Sequence, residues 1–120
     1  MRVRDALDRI KAGKPSECGD DVLLKWLSEL DGMVWEDIVR GQCPPPCLPY
    51  TAGADMDRQM LIPFPHDEVY ITYLGAKIDY SNEEYERYNN AMMMYNAQLQ
   101  AFADAWMRSH RHWTPQFHNY

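Results

Sequence analysis

The chain has 120 residues, 46% of them hydrophobic and 25% charged, with a formal net charge of −6. That length allows one domain around one core and leaves little room for a separate catalytic domain. No apolar run approaches the roughly 20 residues that cross a bilayer, and Met1–Asp5 is not followed by the apolar stretch of a signal peptide, so the expected location is the cytosol in which the chain is made. The net charge and the scatter of the basic residues argue against a groove that grips phosphate, so nucleic acid is not the expected primary ligand, although a surface past which DNA merely slides can be acidic.

From the N-terminus, Asp5 to Ala12 carries Val3, Ala6, Leu7 and Ile10 on one face and is stopped by Gly13, Lys14 and Pro15, which predicts a short first helix. A second helix starts at Asp20 or Asp21, either of which can cap it. Its file of Leu23, Trp26, Leu27, Leu30, Val34 and Ile38 keeps a helical period until Gly41, with Gly32 a slight weakness. From Gln42 to Pro65 the pattern changes: six of the eight prolines fall here and neither helical nor strand period persists, beyond a short extended piece at Met60-Leu61-Ile62. A connection this long inside a compact domain is commonly a binding loop.

A third helix is predicted after Pro65, with Asp67 and Glu68 in its first turn and Val69, Tyr70, Tyr73, Leu74 and Ile78 toward the core. The fourth is the most legible element. Tyr85, Tyr88, Met92, Tyr95, Leu99, Phe102 and Trp106 are separated by alternating steps of three and four, placing seven large side chains on one stripe. Ser81-Asn82-Glu83-Glu84 matches a capping box at its start, and no Pro or Gly interrupts it as far as Ser109. Rings and Met dominate the stripe, as they do where helices meet other protein surfaces.

These elements predict an all-α fold: a small antiparallel four-helix bundle over residues 1–110, with helices at about 3–13, 20–41, 65–80 and 82–109, a Pro-rich loop over 42–64 and an extended tail over 111–120. Most of the aromatic stripe is satisfied inside such a bundle. At about 1.5 Å per residue, however, the fourth helix outruns the others, so that its end, with Phe102 and Trp106, is expected to project and to need cover from another subunit. The tail carries Trp113, Phe117 and Tyr120 where an unstructured terminus is usually polar, and reads as a segment ordered by a partner.

Other candidate sites are weaker. Cys43-Pro-Pro-Pro-Cys47 looks like a redox or metal pair, but three prolines in polyproline geometry separate its Cα atoms by roughly 12 Å, beyond the ~7 Å reach of a disulfide unless a proline is cis. With Cys18 the count is odd, and three free thiols suit a reducing compartment. His110 and His112 face different ways on a helix end, so that with His118 they make a poor metal cluster. Asp20-Asp21, Asp67-Glu68 and Glu83-Glu84 fall at predicted helix starts, where the helix dipole explains them. In Met92-Met93-Met94 only Met92 lies on the stripe. No spacing provides a nucleophile with its base, or paired carboxylates in a pocket, so no catalytic residue, cofactor or metal is expected.

The run Trp26-Leu-Ser-Glu-Leu-Asp-Gly32 through Trp35, Pro49-Tyr50 before a loop, Tyr73-Leu-Gly-Ala-Lys-Ile-Asp79 and Glu86-Arg-Tyr-Asn-Asn-Ala91 through Tyr95-Asn96 together resemble the head-tail connector, or adaptor, proteins of tailed bacteriophages and prophages. The resemblance covers most of residues 3 to 110. It implies a non-enzymatic virion component, made in the host bacterial cytoplasm, that binds the portal protein at the capsid vertex as a closed ring of twelve copies. Such a ring extends the DNA channel without reading its sequence, and docks a tail-side neck or tail terminator protein. By the same resemblance the tail reaches into the portal. The expected contact residues are then Pro49 and Tyr50 in the loop, Phe102 and Trp106 on the fourth helix, and His112, Trp113, Phe117 and Tyr120 in the tail. Two rivals are a cytosolic helical adaptor or regulatory partner, which would form a small closed oligomer or heterodimer, and a small metal-binding protein, which would need thiols and histidines to converge.

Overall fold

The computed structural model describes residues 1–14, 16–39 and 44–110. It is all-α: α1 Val3–Gly13, α2 Asp20–Val34, α3 Glu68–Ser81 and α4 Tyr85–His110, with α2 continuing through a π-helical turn at Trp35–Val39. The described residues contain no strand, and an isolated antiparallel bridge pairs Arg2 with Gln59.

In α1 the four apolar residues of the predicted face, Val3, Ala6, Leu7 and Ile10, are all buried. Its first turn is held by Asp5, whose carboxylate accepts from the backbone N–H and the guanidinium of Arg2; that pairing keeps the Asp5 carboxyl below its usual range. Arg9 meets Glu68 at 2.6 Å and Lys14 meets the buried Asp79 at 2.8 Å, so α1 is tied to both ends of α3.

Of the expected file of α2, Leu23, Leu27, Leu30 and Val34 are buried, while Trp26 is only partly covered. Beyond Val34 the prediction fails in phase. Ile38, expected next on the file, is only partly buried, while Val39, five residues after Val34, is buried. The wider π turn supplies that five-residue step. Gly41, the expected stop, lies outside the described residues.

The long connection is a loop, yet three of its residues, Tyr50, Met60 and Ile62, are buried in the core. It is laced to the start of α1: the Val3 and Arg4 amides donate to the carbonyls of Arg58 and Met56, and the Met60 amide donates to that of Met1. These bonds satisfy backbone groups that a loop running through the interior must pair.

The predicted capping box is not what starts the last helix. Ser81 closes α3, Glu83 takes a positive φ of 60°, and the Glu84 amide donates to the Asp79 carbonyl at 2.9 Å. The residues that read as a cap instead form the turn between α3 and α4, and α4 begins at Tyr85, three residues later than expected. The two helices then pack through their rings. Tyr80 meets Tyr88 at 5.0 Å, Tyr73 meets Tyr95 at 5.1 Å, and His66, just before α3, meets Phe102 at 5.8 Å between centroids. The numbering falls in steps of seven on one side and rises in steps of seven on the other, which is the register of a helical hairpin. Among the helical elements α3 touches α1, α2 and α4, whereas α4 packs only on α3 and the π turn.

Candidate partner-binding surfaces

The loop is positioned by a carboxylate that sequence reading passes over. Asp31 on α2 is fully buried and accepts from the hydroxyls of Tyr50 and Tyr70, each at 2.5 Å, and from the Leu61 amide at 3.2 Å. The Tyr70 hydroxyl in turn accepts from the Ile62 amide at 2.8 Å. One side chain thereby joins α2, α3 and both ends of the loop segment 50–62. Burial raises the Asp31 carboxyl above its usual range, opposed by these three donors. Burial, with the Asp31 charge beside them, also pushes both phenols upward, so the two tyrosines keep their protons and remain donors. With its acceptor sites occupied and no access to solvent, this cluster is structural. A second bond fixes the loop entry: the Tyr50 amide donates to the buried Ser28 hydroxyl at 2.9 Å, and that hydroxyl donates to the Leu24 carbonyl at 2.7 Å.

Tyr50, expected at a partner surface, is therefore spent in the core, with 4% of its surface exposed. Its neighbour Pro49 is exposed. The two line a groove of about 680 Å³ between α2 and residues 48–52, floored by Leu24 and Leu48 and edged by Asp21, Lys25 and Glu29. The wall beyond Tyr50 is braced by Arg58, which lies 5.3 Å from the Tyr50 ring, pairs with Asp55 at 3.1 Å and donates to the Cys47 carbonyl. Asp55 also accepts from the Thr51 amide and hydroxyl, and these donors hold its carboxyl below the usual range.

Phe102 corrects another expectation. It does not project: it is 3% exposed, under His66, and Trp106 beside it is partly covered. What this end does present is Phe64, 84% exposed two residues before His66, and a Trp106–His110 stack with centroids 3.7 Å apart. The His110 ring also lies within 2.9 Å of the Trp106 carbonyl. Loop and helix thus converge on an aromatic end from which the chain continues into residues 111–120. His112, Trp113, Phe117 and Tyr120 lie outside the described residues. The residues that line the Pro49–Tyr50 groove come from α2 and from 48–52, so among the described contact residues Phe102 and Trp106 do not share it.

Sequence reading missed Asp31 and Phe64. For Asp31 a signal existed, since it falls four residues after Leu27 and three before Val34, on the apolar face of α2. Phe64 lies between two prolines and carries no such signal. Among the described residues no three His, Cys, Asp or Glu side chains gather as a metal site, Cys18 and Cys47 are free thiols, and no helix is long and apolar enough to cross a membrane. Comparison with family models, with curated proteins and with solved structures finds no match to this chain.

Proposed function

We propose that the chain is a structural connector of a tailed phage, a ring-forming adaptor seated on the portal, and that the aromatic end is its docking surface. The observation that carries this reading is the exposed Phe64, two residues before the His66 that packs on Phe102, together with the Trp106–His110 stack one turn further along α4, where the helix leads into the aromatic tail. An exposed Phe with partly covered Trp and His rings near the end of a packed helix has the composition of an interface core. Trp113, Phe117 and Tyr120 extend that end and enter the portal. Pro49 and the groove beside it receive the neighbouring copy in the ring, the tail-side face meets the neck or terminator protein, and DNA passes through the centre without sequence-specific contact. An antiparallel four-helix bundle is part of the same reading, with α4 joined to the other helices through α3 and the π turn.

The reading is tested by quantitative mass spectrometry on purified DNA-filled particles from the source organism, counting copies of this chain against copies of the portal subunit. A ratio near one is expected for a connector ring; absence from particles overturns it and leaves a cytosolic partner-binding adaptor. Truncation before His110 is expected to preserve the helical fold while abolishing portal binding, and unchanged binding would remove the tail from the docking surface.

A further inference from the structure

The outer face of α4 is not accounted for by the aromatic stripe or by the docking end. From Tyr88 to Ala103 there is no charged side chain in sixteen residues, where a chain that is 25% charged would carry four. Half of that stretch looks outward: Asn89, Asn90, Met93, Met94, Asn96, Ala97, Gln100 and Ala101 are exposed, Met93 at 72%. Depletion of charge with enrichment in Met is the signature of an interface core.

The charges that flank this face are ordered. Glu86, Asn90, Met93, Ala97, Ala101, Asp104 and Arg108 are all exposed, and their steps of four, three, four, four, three and four place them on one stripe opposite the buried one. Read backwards against itself, with Ala97 at the centre, the stripe is its own complement. Glu86 falls opposite Arg108, Asn90 opposite Asp104, Met93 opposite Ala101, and Ala97 opposite Ala97. An acid meets a base, an amide donor meets a carboxylate, a large side chain meets a small one, and two small residues meet at the closest point. Asp104 already accepts from Gln100 of its own helix at 2.9 Å, and a carboxylate takes further donors. Glu86 and Arg108 make no ion pair among the described residues.

We infer that α4 is a self-association face, which pairs two copies of this chain antiparallel about a two-fold axis at Ala97. Such a contact is isologous, each copy giving the same patch. It sets its two copies in opposite directions, so it cannot be a contact between like-facing neighbours of a ring; it belongs to the free chain and stands or falls apart from the ring reading. One helix stripe of about 33 Å offers less area than the roughly 800 Å² per partner of a standard interface, so the pair is concentration-dependent.

Sedimentation equilibrium on the full chain, across about a hundredfold range of concentration, tests it. The expected result is a monomer–dimer equilibrium. Glu86→Arg and Arg108→Glu, each of which sets like charges together twice per dimer, should weaken it by about tenfold, and the double exchange should restore it. Ala97→Glu, which opposes two carboxylates at the axis, should leave monomer, with circular dichroism unchanged in all four variants. A chain monomeric throughout overturns the inference, as does a dimer that the double exchange fails to rescue.

Discussion

The helices α2 and α3, with the loop between them, close around a carboxylate, whereas α4 is held to α3 by a file of rings. In the first region Asp31 gathers two phenols and a backbone amide from three parts of the chain. In the second the contacts recur every two turns as Tyr80–Tyr88, Tyr73–Tyr95 and His66–Phe102. The difference is one of specificity against adaptability. A buried polar hub tolerates no loss of a partner, because each orphaned group costs its full desolvation. A ring file is non-directional and leaves the other side of its helix free to serve a second surface.

The largest effect is expected at the polar hub. Asp31→Ala leaves the Tyr50 and Tyr70 hydroxyls and the Leu61 amide without their acceptor and should cost about 3–5 kcal/mol by urea denaturation, with amide protection lost across α1, α2, α3 and the loop together. Phe102→Ala should cost about 3 kcal/mol, with the loss of protection concentrated in α4. Equal loss across all four helices in both variants would show one cooperative unit and erase the distinction. Ser28→Ala, which deprives the Tyr50 amide of its acceptor, should cost about 1–2 kcal/mol and loosen the loop entry without touching α4.

Titration separates the regions more finely. The folded-state value of Asp31 lies above its unfolded value, so between the two the folded chain holds a proton that the unfolded chain has released. Its contribution to stability is therefore full below the unfolded value of about 4 and declines as pH rises through the raised folded value. Asp55, held low by Thr51 and Arg58, works the other way: its contribution is present above about pH 4 and is lost as pH falls through its lowered value. Denaturation against pH should lose the first slope in Asp31→Asn and the second in Asp55→Asn. The smallest effect is expected in the turn, where Glu83→Gly relieves a positive φ and should stabilise the chain by a few tenths of a kcal/mol, up to about 1.

Local signals made the helices readable. Periodic apolar faces placed α1 on its observed span and α2 from its first residue, because three- and four-residue spacing is a property of the nearby chain. The Asp31 cluster was hidden for the converse reason. Its tyrosines lie nineteen and thirty-nine residues away, so nothing around either marks it as a partner, and Tyr50 beside Pro49 reads as a loop residue free to bind elsewhere. The capping motif at Ser81 misled because a sequence that fits a helix start also fits a turn, and only the Asp79–Glu84 backbone bond decides between them. The stripe spacing put Phe102 and Trp106 on one face of α4 but did not show the cover that Phe102 receives from His66 in the loop, and the exposure of Phe64 depended on how that loop returned to the core.

The π turn, finally, is a matter of counting. It spends five residues where an α-helix would spend about four, and by doing so brings Val39 back under the direction of Val34. Only this re-phased segment, and not the regular helix before it, reaches α4. A chain shorter by one residue between Trp35 and Ile38 would still make a continuous helix, with every side chain of the hub in place, and would rotate that contact away. The seat of the longest helix is thus written in the number of residues preceding Val39 as much as in their identity.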